Sequence, residues 1–464
     1  MVQGINNAIR EVGMPQRPSI TSTLRRSSIC LLFLAQFALG GIFTLLPPHK
    51  GTVLGLSPKL AAPAVFAGCA DAPSDESTTS SNERPRPPRI PPILFLLFST
   101  GAVEGAGASP LNPQPLRMNC PFFQGWLVRT IDHDNKRSFI FIVGSFAAPT
   151  ARRRMSPAFT EHYVFFSAVD CGEEVCHEEL FPDPLTVQIS GSAPGRPNLF
   201  VPSTAALNVT WVAQGRGKFT FTEAACTADF TLESGTRLHF ESSERAPWSR
   251  DDPIKGPEGW LGYTSLLPCH YFVHSTGSAC RYSIAIPSRG GELRGKGWSH
   301  IEGNHGTFFP EGWVWSQAIS AENKESYSLV VGKFDIGFFR PLSVVLYLRT
   351  QSGPRVFRTT DLDDIIVQEL DKSGKVRLTA VSRVDKYKVE LVISAPRRSF
   401  GKPVYVPTAH GFSCEPGAKE SYIAVAIAKC FSFNAEVSAH ELVDELVFEL
   451  SCLEFGNSFC LATA

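Results

Sequence analysis

Residues 298–318 read WSHIEGNHGTFFPEGWVWSQA, and the fold and the chemistry of the chain are both read outward from them. Extended from Gly312 to Ile319, the backbone puts Trp313, Trp315 and Gln317 on one face and Val314, Ser316 and Ala318 on the other. The first face is an aromatic wall. Beside it, the turn Glu302-Gly303-Asn304-His305-Gly306 supplies an ionisable acid and an amide, with glycines that let the backbone bend sharply.

On both sides of this stretch, strand signals follow one another with short turns. Upstream, 126–131 and 138–143 flank Asp132-His133-Asp134-Asn135 as a hairpin, and 163–169, 185–189, 218–222, 237–241 and 281–286 continue the pattern. Downstream, 343–348, 365–370, 376–381, 386–394 and 422–428 repeat it, while 441–450 suits either a strand or a terminal helix. Helix and strand do not alternate, so a parallel sheet is excluded and an all-β, mainly antiparallel fold is expected. The Gly290-Gly291-Glu292-Leu293-Arg294-Gly295 loop is the expected hinge, giving β units over 118–290 and 291–464.

With 464 residues there is room for one large or two medium domains. The 44 basic and 44 acidic side chains cancel, so net charge points to no nucleic acid or acidic partner, and small molecules are the expected ligands. Twelve cysteines are spread without a CxxC pair. Cys171, Cys176 and His177 form the tightest group, read as plain thiols or a loop disulfide before a ligand set. Arg25 and Arg26 precede an apolar run at 29–46, the layout of a signal sequence or anchor, and 47–91 is a Pro/Ser-rich linker too poor in large apolar groups to fold alone. A second run, 90–98, falls short of the ~20 residues a membrane span needs. Residues 1–117 are therefore expected to be a mostly disordered targeting leader.

Three patches in order resemble the tocopherol cyclase family. Pro121-Phe122-Phe123-Gln124-Gly125-Trp126 is similar to its F-F-E-G-W-Y opening, and Leu267-Pro268-Cys269-His270-Tyr271-Phe272-Val273-His274-Ser275 to its L-P-x-H-W-x-V-H-S strand. Glu302 to Gly306 with Phe309-Pro310-Glu311-Gly312-Trp313-Val314-Trp315-Ser316-Gln317 matches its E-K-N-W-G and F-P-x-x-W-x-W-x-Q runs. A weaker patch, Gly411-Phe412-Ser413-Cys414 with Lys419-Glu420-Ser421, extends the resemblance along the chain after 118. Gly303, His305, Gln124 and Leu127 depart from the pattern, standing for a lysine, a tryptophan, an acid and an aromatic.

The resemblance implies two lipocalin-like or sandwich-like β units around an apolar cavity. It implies a plastid enzyme, with secretion or an endomembrane as the alternative destination. The substrate would be a prenylated hydroquinone drawn from a membrane surface. The reaction needs no cofactor and no metal: the alkene nearest the ring is protonated and a ring hydroxyl captures the tertiary cation.

That chemistry asks for an acid that keeps its proton, and burial of a carboxyl supplies one. Glu302 is the candidate, its other role being a structural bond to the turn; Glu311 reads as a solvated turn residue. Aromatic faces stabilise the cation by roughly 0.5–2 kcal/mol each, which suits Trp313 and Trp315, or else these pack as ordinary core; Trp126 is a further expected substrate contact. A neutral imidazole accepts the phenolic proton, and His270 and His274 share a face of one strand. Asn304, His305 and Gln317 complete the expected head-group contacts, and Phe338 and Phe339 the lip of the cavity. Two other functions compete: a non-catalytic carrier of prenyl lipids, and an alkene hydratase of the carotenoid-hydratase type in which water captures the cation. A buried Glu302 facing an imidazole favours the cyclase, and an exposed or arginine-neutralised Glu302 favours the carrier.

Overall fold

The computed structural model describes residues 122–147, 161–192, 208–222, 224–248, 256–263, 267–334, 340–361, 363–371, 374–408, 411–413, 415–434 and 439–460. The expected leader, both of its apolar runs, and Phe338 and Phe339 lie outside them. Among the described residues every regular element longer than a 3-10 turn is a strand, and 441–450 is one of them.

Two antiparallel sheets follow each other along the chain. The first contains β1 (Phe122–Asp132), β2 (Arg137–Ala147), β3 (His162–Asp170), β4 (Glu173–Leu180), β5 (Val187–Ser192), β6 (Asn208–Ala213), β7 (Gly217–Thr222), β8 (Ala225–Thr231), β9 (Arg237–Ser243), β10 (Cys269–Ile286) and β11 (Gly291–Gly306). Their spatial order is β4-β3-β2-β1-β11-β10-β9-β8-β7-β6-β5. The second contains β12 (Gly312–Ile319), β13 (Ser326–Lys333), β14 (Leu342–Thr350), β15 (Gly353–Arg358), β16 (Asp364–Asp371), β17 (Lys375–Ser382) and β18 (Tyr387–Ser394). After a short pair, β19 (Pro407–Thr408) and β20 (Gly411–Phe412), it is completed by β21 (Ala418–Asn434) and β22 (Ala439–Asn457), in the order β15-β14-β13-β12-β22-β21-β18-β17-β16. One sheet is a half-barrel and the other nearly closes.

The Gly290 loop is not where the sheets divide. It is the tight turn of the β10–β11 hairpin: Gly290 sits in the left-handed region at φ 64°, and Ile286 pairs directly with Gly291. β11 therefore completes the first sheet, and the chain changes sheet at residues 307–311.

Strict alternation gives each strand two useful faces. One face fills the interior of its own sheet: Phe141, Trp211, Phe230 and Ile301 in the first, Leu346, Leu378, Leu391 and Phe455 in the second. The other face builds a third core from both sheets, with Phe123, Leu127 and Phe165 meeting Trp313, Trp315, Tyr422 and Cys452. The candidate site is embedded in that shared core.

Candidate functional site

Glu302 is 2% exposed, on the β11 face turned toward the second sheet. Its neighbours follow from register: Leu127 of β1 on one side, Val273 of β10 on the other. Three polar groups converge on its Oε2. The Tyr271 hydroxyl donates at 2.9 Å, the Trp315 indole N–H donates at 3.0 Å, and His300 Nε2 lies at 2.8 Å. Tyr271 also meets Ser328 Oγ at 3.1 Å. Burial, and then the charge of Glu302, hold the Tyr271 hydroxyl well above the usual phenol range, so it remains a donor. No arginine pairs with this carboxylate among the described contacts; an imidazole does.

Across the cavity, the second sheet offers another carboxyl pair. Glu420 of β21 and Glu454 of β22 are register partners, and Glu454 is in turn the partner of Trp315. The two glutamates are 5% and 9% exposed and hydrogen-bonded to each other. The Trp313 indole N–H donates to Glu454 Oε1, and the Tyr422 hydroxyl donates to Glu420 Oε2. Burial pushes both carboxyls up; Glu454 goes furthest, because the charge of Glu420 beside it adds to desolvation and Glu302 contributes further. A hydrogen bond between two carboxyls needs one proton, which the pair shares. Arg129, wholly buried in β1, lies 5.4 Å from the Tyr422 ring centre and supplies positive charge toward Glu420.

Between these walls is a cavity of about 200 Å³ lined by Glu302, Asn304, Glu420 and Glu454 among apolar neighbours. Phe309 stacks on Phe123 at 4.9 Å and on Trp313 at 5.2 Å, forming an aromatic ladder along it. Gly456 makes room for that ladder, since a Cβ there would fall 2.0 Å from Trp313 Cε2.

The sequence-expected residues divide into two groups. Glu302, Asn304, Trp313 and Trp315 are brought together on the cavity, and Trp126 borders it while its ring packs into the first core 6.0 Å from Phe219. His270, His274, His305 and Gln317 do not line the cavity. On β10 the face carrying His270, Phe272 and His274 turns into the first sheet, and Tyr271 between them faces the cavity. His270 Nδ1 is 2.8 Å from Glu258 Oε2 and its ring stacks at 5.1 Å on His305. His274 is 4.5 Å from the Phe221 ring centre and its pKa is lowered to about 3 by burial, with Arg245 adding to the effect. Gln317 is fully buried, and neither of its amide atoms has a hydrogen-bond partner. Glu311 is half-buried and pairs with Lys333 at 2.8 Å, rather than standing free in solvent. Sequence reasoning passed over Tyr271, His300, Glu420 and Glu454. Tyr271 and Glu420 stood inside the quoted patches, and Tyr271 was reachable by reading the alternate face of its strand.

No protein-family model matches the sequence, and no curated protein sequence matches it. Among solved structures the chain is similar to CghA at 10% identity and a TM-score of 0.50, covering 75% of this chain and 92% of CghA. It is also similar to kievitone hydratase from Nectria haematococca at 9% identity and a TM-score of 0.40, covering 77% of this chain and 95% of that one. The similarity to CghA shows a shared fold.

Proposed function

We propose that the chain is a cofactor-independent cyclase that closes the chroman ring of a prenylated hydroquinol. The observation that carries this reading is a pair of buried carboxyl stations on facing walls of one aromatic cavity, Glu454 hydrogen-bonded to a second carboxyl on one and Glu302 accepting from Tyr271 and Trp315 on the other. The acid is Glu454 rather than Glu302. Its proton passes to the side-chain alkene, the π bond becomes a C–H bond, and the tertiary cation develops beside Trp313 and Trp315, whose faces stabilise it without reacting. The ring oxygen forms the new C–O bond, and its proton goes to the Glu302 carboxylate, which Tyr271 and His300 hold in place. Asn304 is placed to orient the quinol head group. The apolar walls beyond the head group take the first part of the isoprenoid tail, and the rest extends out of the cavity, which implies uptake from a membrane surface; the leader-like sequence makes a plastid the proposed compartment.

The test is incubation of the full chain in detergent micelles with dimethyl-phytyl and geranylgeranyl benzoquinols, followed by chromatography for chromanol. Wild-type protein should form it, and Glu454→Gln and Glu302→Gln should each slow it by roughly 10²-fold or more. Saturable quinol binding without product would leave a carrier, and a tertiary alcohol labelled from ¹⁸O-water would reassign the protein as a hydratase.

A further inference from the structure

Glu420 borders two cavities. One is the apolar cavity already described; the other, of about 390 Å³, lies behind it and is lined by Glu174, Arg398, Ser399, Lys402, Glu420 and Tyr422. Arg398 and Lys402 are exposed, so this second cavity communicates with solvent. Its walls mix these ionic and hydroxylic groups with Val169, Phe400 and Ile423, and are more polar than the ring-lined walls on the substrate side. The Glu420–Glu454 hydrogen bond is thus a polar link through the third core from one cavity to the other.

We propose that Glu420 is a proton relay, recharging the acid of the apolar cavity from the second, solvent-connected cavity. The inference rests on the cyclase reading for its purpose, although the relay itself is a property of the resting protein. Each turnover leaves Glu454 ionised and Glu302 carrying the phenolic proton on the opposite wall. Glu302 returns that proton to solvent through the mouth of the substrate cavity. On the other wall, a proton from water in the second cavity adds to a Glu420 oxygen, and Glu420 hands a proton to Glu454 across their hydrogen bond. No net charge accumulates and nothing is oxidised or reduced. The Tyr422 hydroxyl holds Glu420 from the side, and the backbone N–H of Gly401 donates to the Glu420 carbonyl at 3.0 Å, fixing the strand at the wall of the second cavity. A greasy substrate filling the first cavity would seal Glu454 from water on that side, so the back route is the one that stays open during catalysis.

Two variants probe the route. Glu420→Gln removes the relay and leaves Glu454. Gly401→Leu places a side chain in the second cavity, where a Cβ meets the flexible end of Glu174 at 2.5 Å. The primary readout needs no substrate: the carboxylic C=O infrared band of the full chain, assigned by its loss in Glu454→Gln, is followed after mixing into D₂O with the apolar cavity filled by a long-chain alkyl detergent. The band should shift at once in the wild type and at least 10-fold more slowly in both variants. Equal exchange rates in all three proteins overturn the relay, whatever the enzyme does. With the benzoquinols, Gly401→Leu should complete one turnover per molecule and then lag. If the wild type forms no chromanol but the exchange rates separate as expected, the relay stands and the cyclase reading falls.

Discussion

At the scale of single residues, the division of labour between the two carboxyl stations follows from what surrounds each. Glu302 is met by three hydrogen-bonding groups on one oxygen, whereas Glu454 shares a buried patch with a second carboxyl. Trp315 serves both the cation and Glu302, so Trp315→Phe keeps an aromatic face and removes one donor. A hydrogen bond to a charged group is worth roughly 1.5–3 kcal/mol, and kcat should fall by roughly 10–100-fold with KM little changed, measured by steady-state chromanol formation. Glu454 also fixes the alkaline limit. Its carboxyl is raised in the folded protein, so the acid keeps its proton above the ordinary carboxyl range and kcat should fall as pH rises through that raised value. The same sign applies to folding: the contribution of neutral Glu454 is fully present below the ordinary carboxyl pKa and is lost as pH climbs toward the folded one. A rate profile that instead rises toward alkaline pH would remove Glu454 as the acid.

At the scale of elements, alternation told which residues share a face but not which face looks into the cavity. On β12 both indoles fall on the face shared by the two sheets, as alternation predicts, whereas Gln317 does not line the cavity. On β10 the same rule correctly grouped His270 with His274, yet that face packs inward on His305 and Phe221, and the cavity belongs to Tyr271. The parity of a strand relative to its partner sheet depends on packing between distant segments, which no local pattern encodes. The turn at Gly290 looked like a hinge for a similar reason: a hairpin turn and a linker have the same glycine-rich composition, and only the pairing of Ile286 with Gly291 separates them. Close packing between elements also yields a direct prediction. Gly456 of β22 lies under Trp313 so tightly that any side chain must displace the indole. Gly456→Ala should cost roughly 1–3 kcal/mol, as overpacked cores do. It should also break the Trp313–Glu454 hydrogen bond, readable as a lowered denaturation midpoint with a red-shifted tryptophan emission.

At the scale of the molecule, an all-β antiparallel chain was legible from strand spacing and the absence of helix alternation, and its division into two units came from the resemblance, while the carboxyl pair was legible from neither. Glu420 and Glu454 are recruited from two long strands whose pairing is set by the whole second sheet, and Glu420 also feels the charge of Arg129 from the first. Burying so many titratable groups ties global stability to pH. His274 and His162 are both held neutral by burial, with pKa values lowered to about 3 and about 4 from an ordinary 6.5. Below 6.5 the unfolded chain therefore binds protons that the folded chain refuses, and stability declines as pH falls from 6.5 toward those values. Asp363 works against this, since burial raises it from 3.8 to about 6 and it favours the folded state as it becomes protonated over that window. One fully developed histidine contributes about 1.4 kcal/mol per pH unit. His274→Leu, which suits the apolar pocket formed by Phe221 and Phe272, should flatten the stability curve between pH 5 and pH 6 by about that slope while leaving neutral stability nearly unchanged. Denaturant unfolding of both proteins across that range decides it: parallel curves would mean that His274 does not carry the acid sensitivity of the fold.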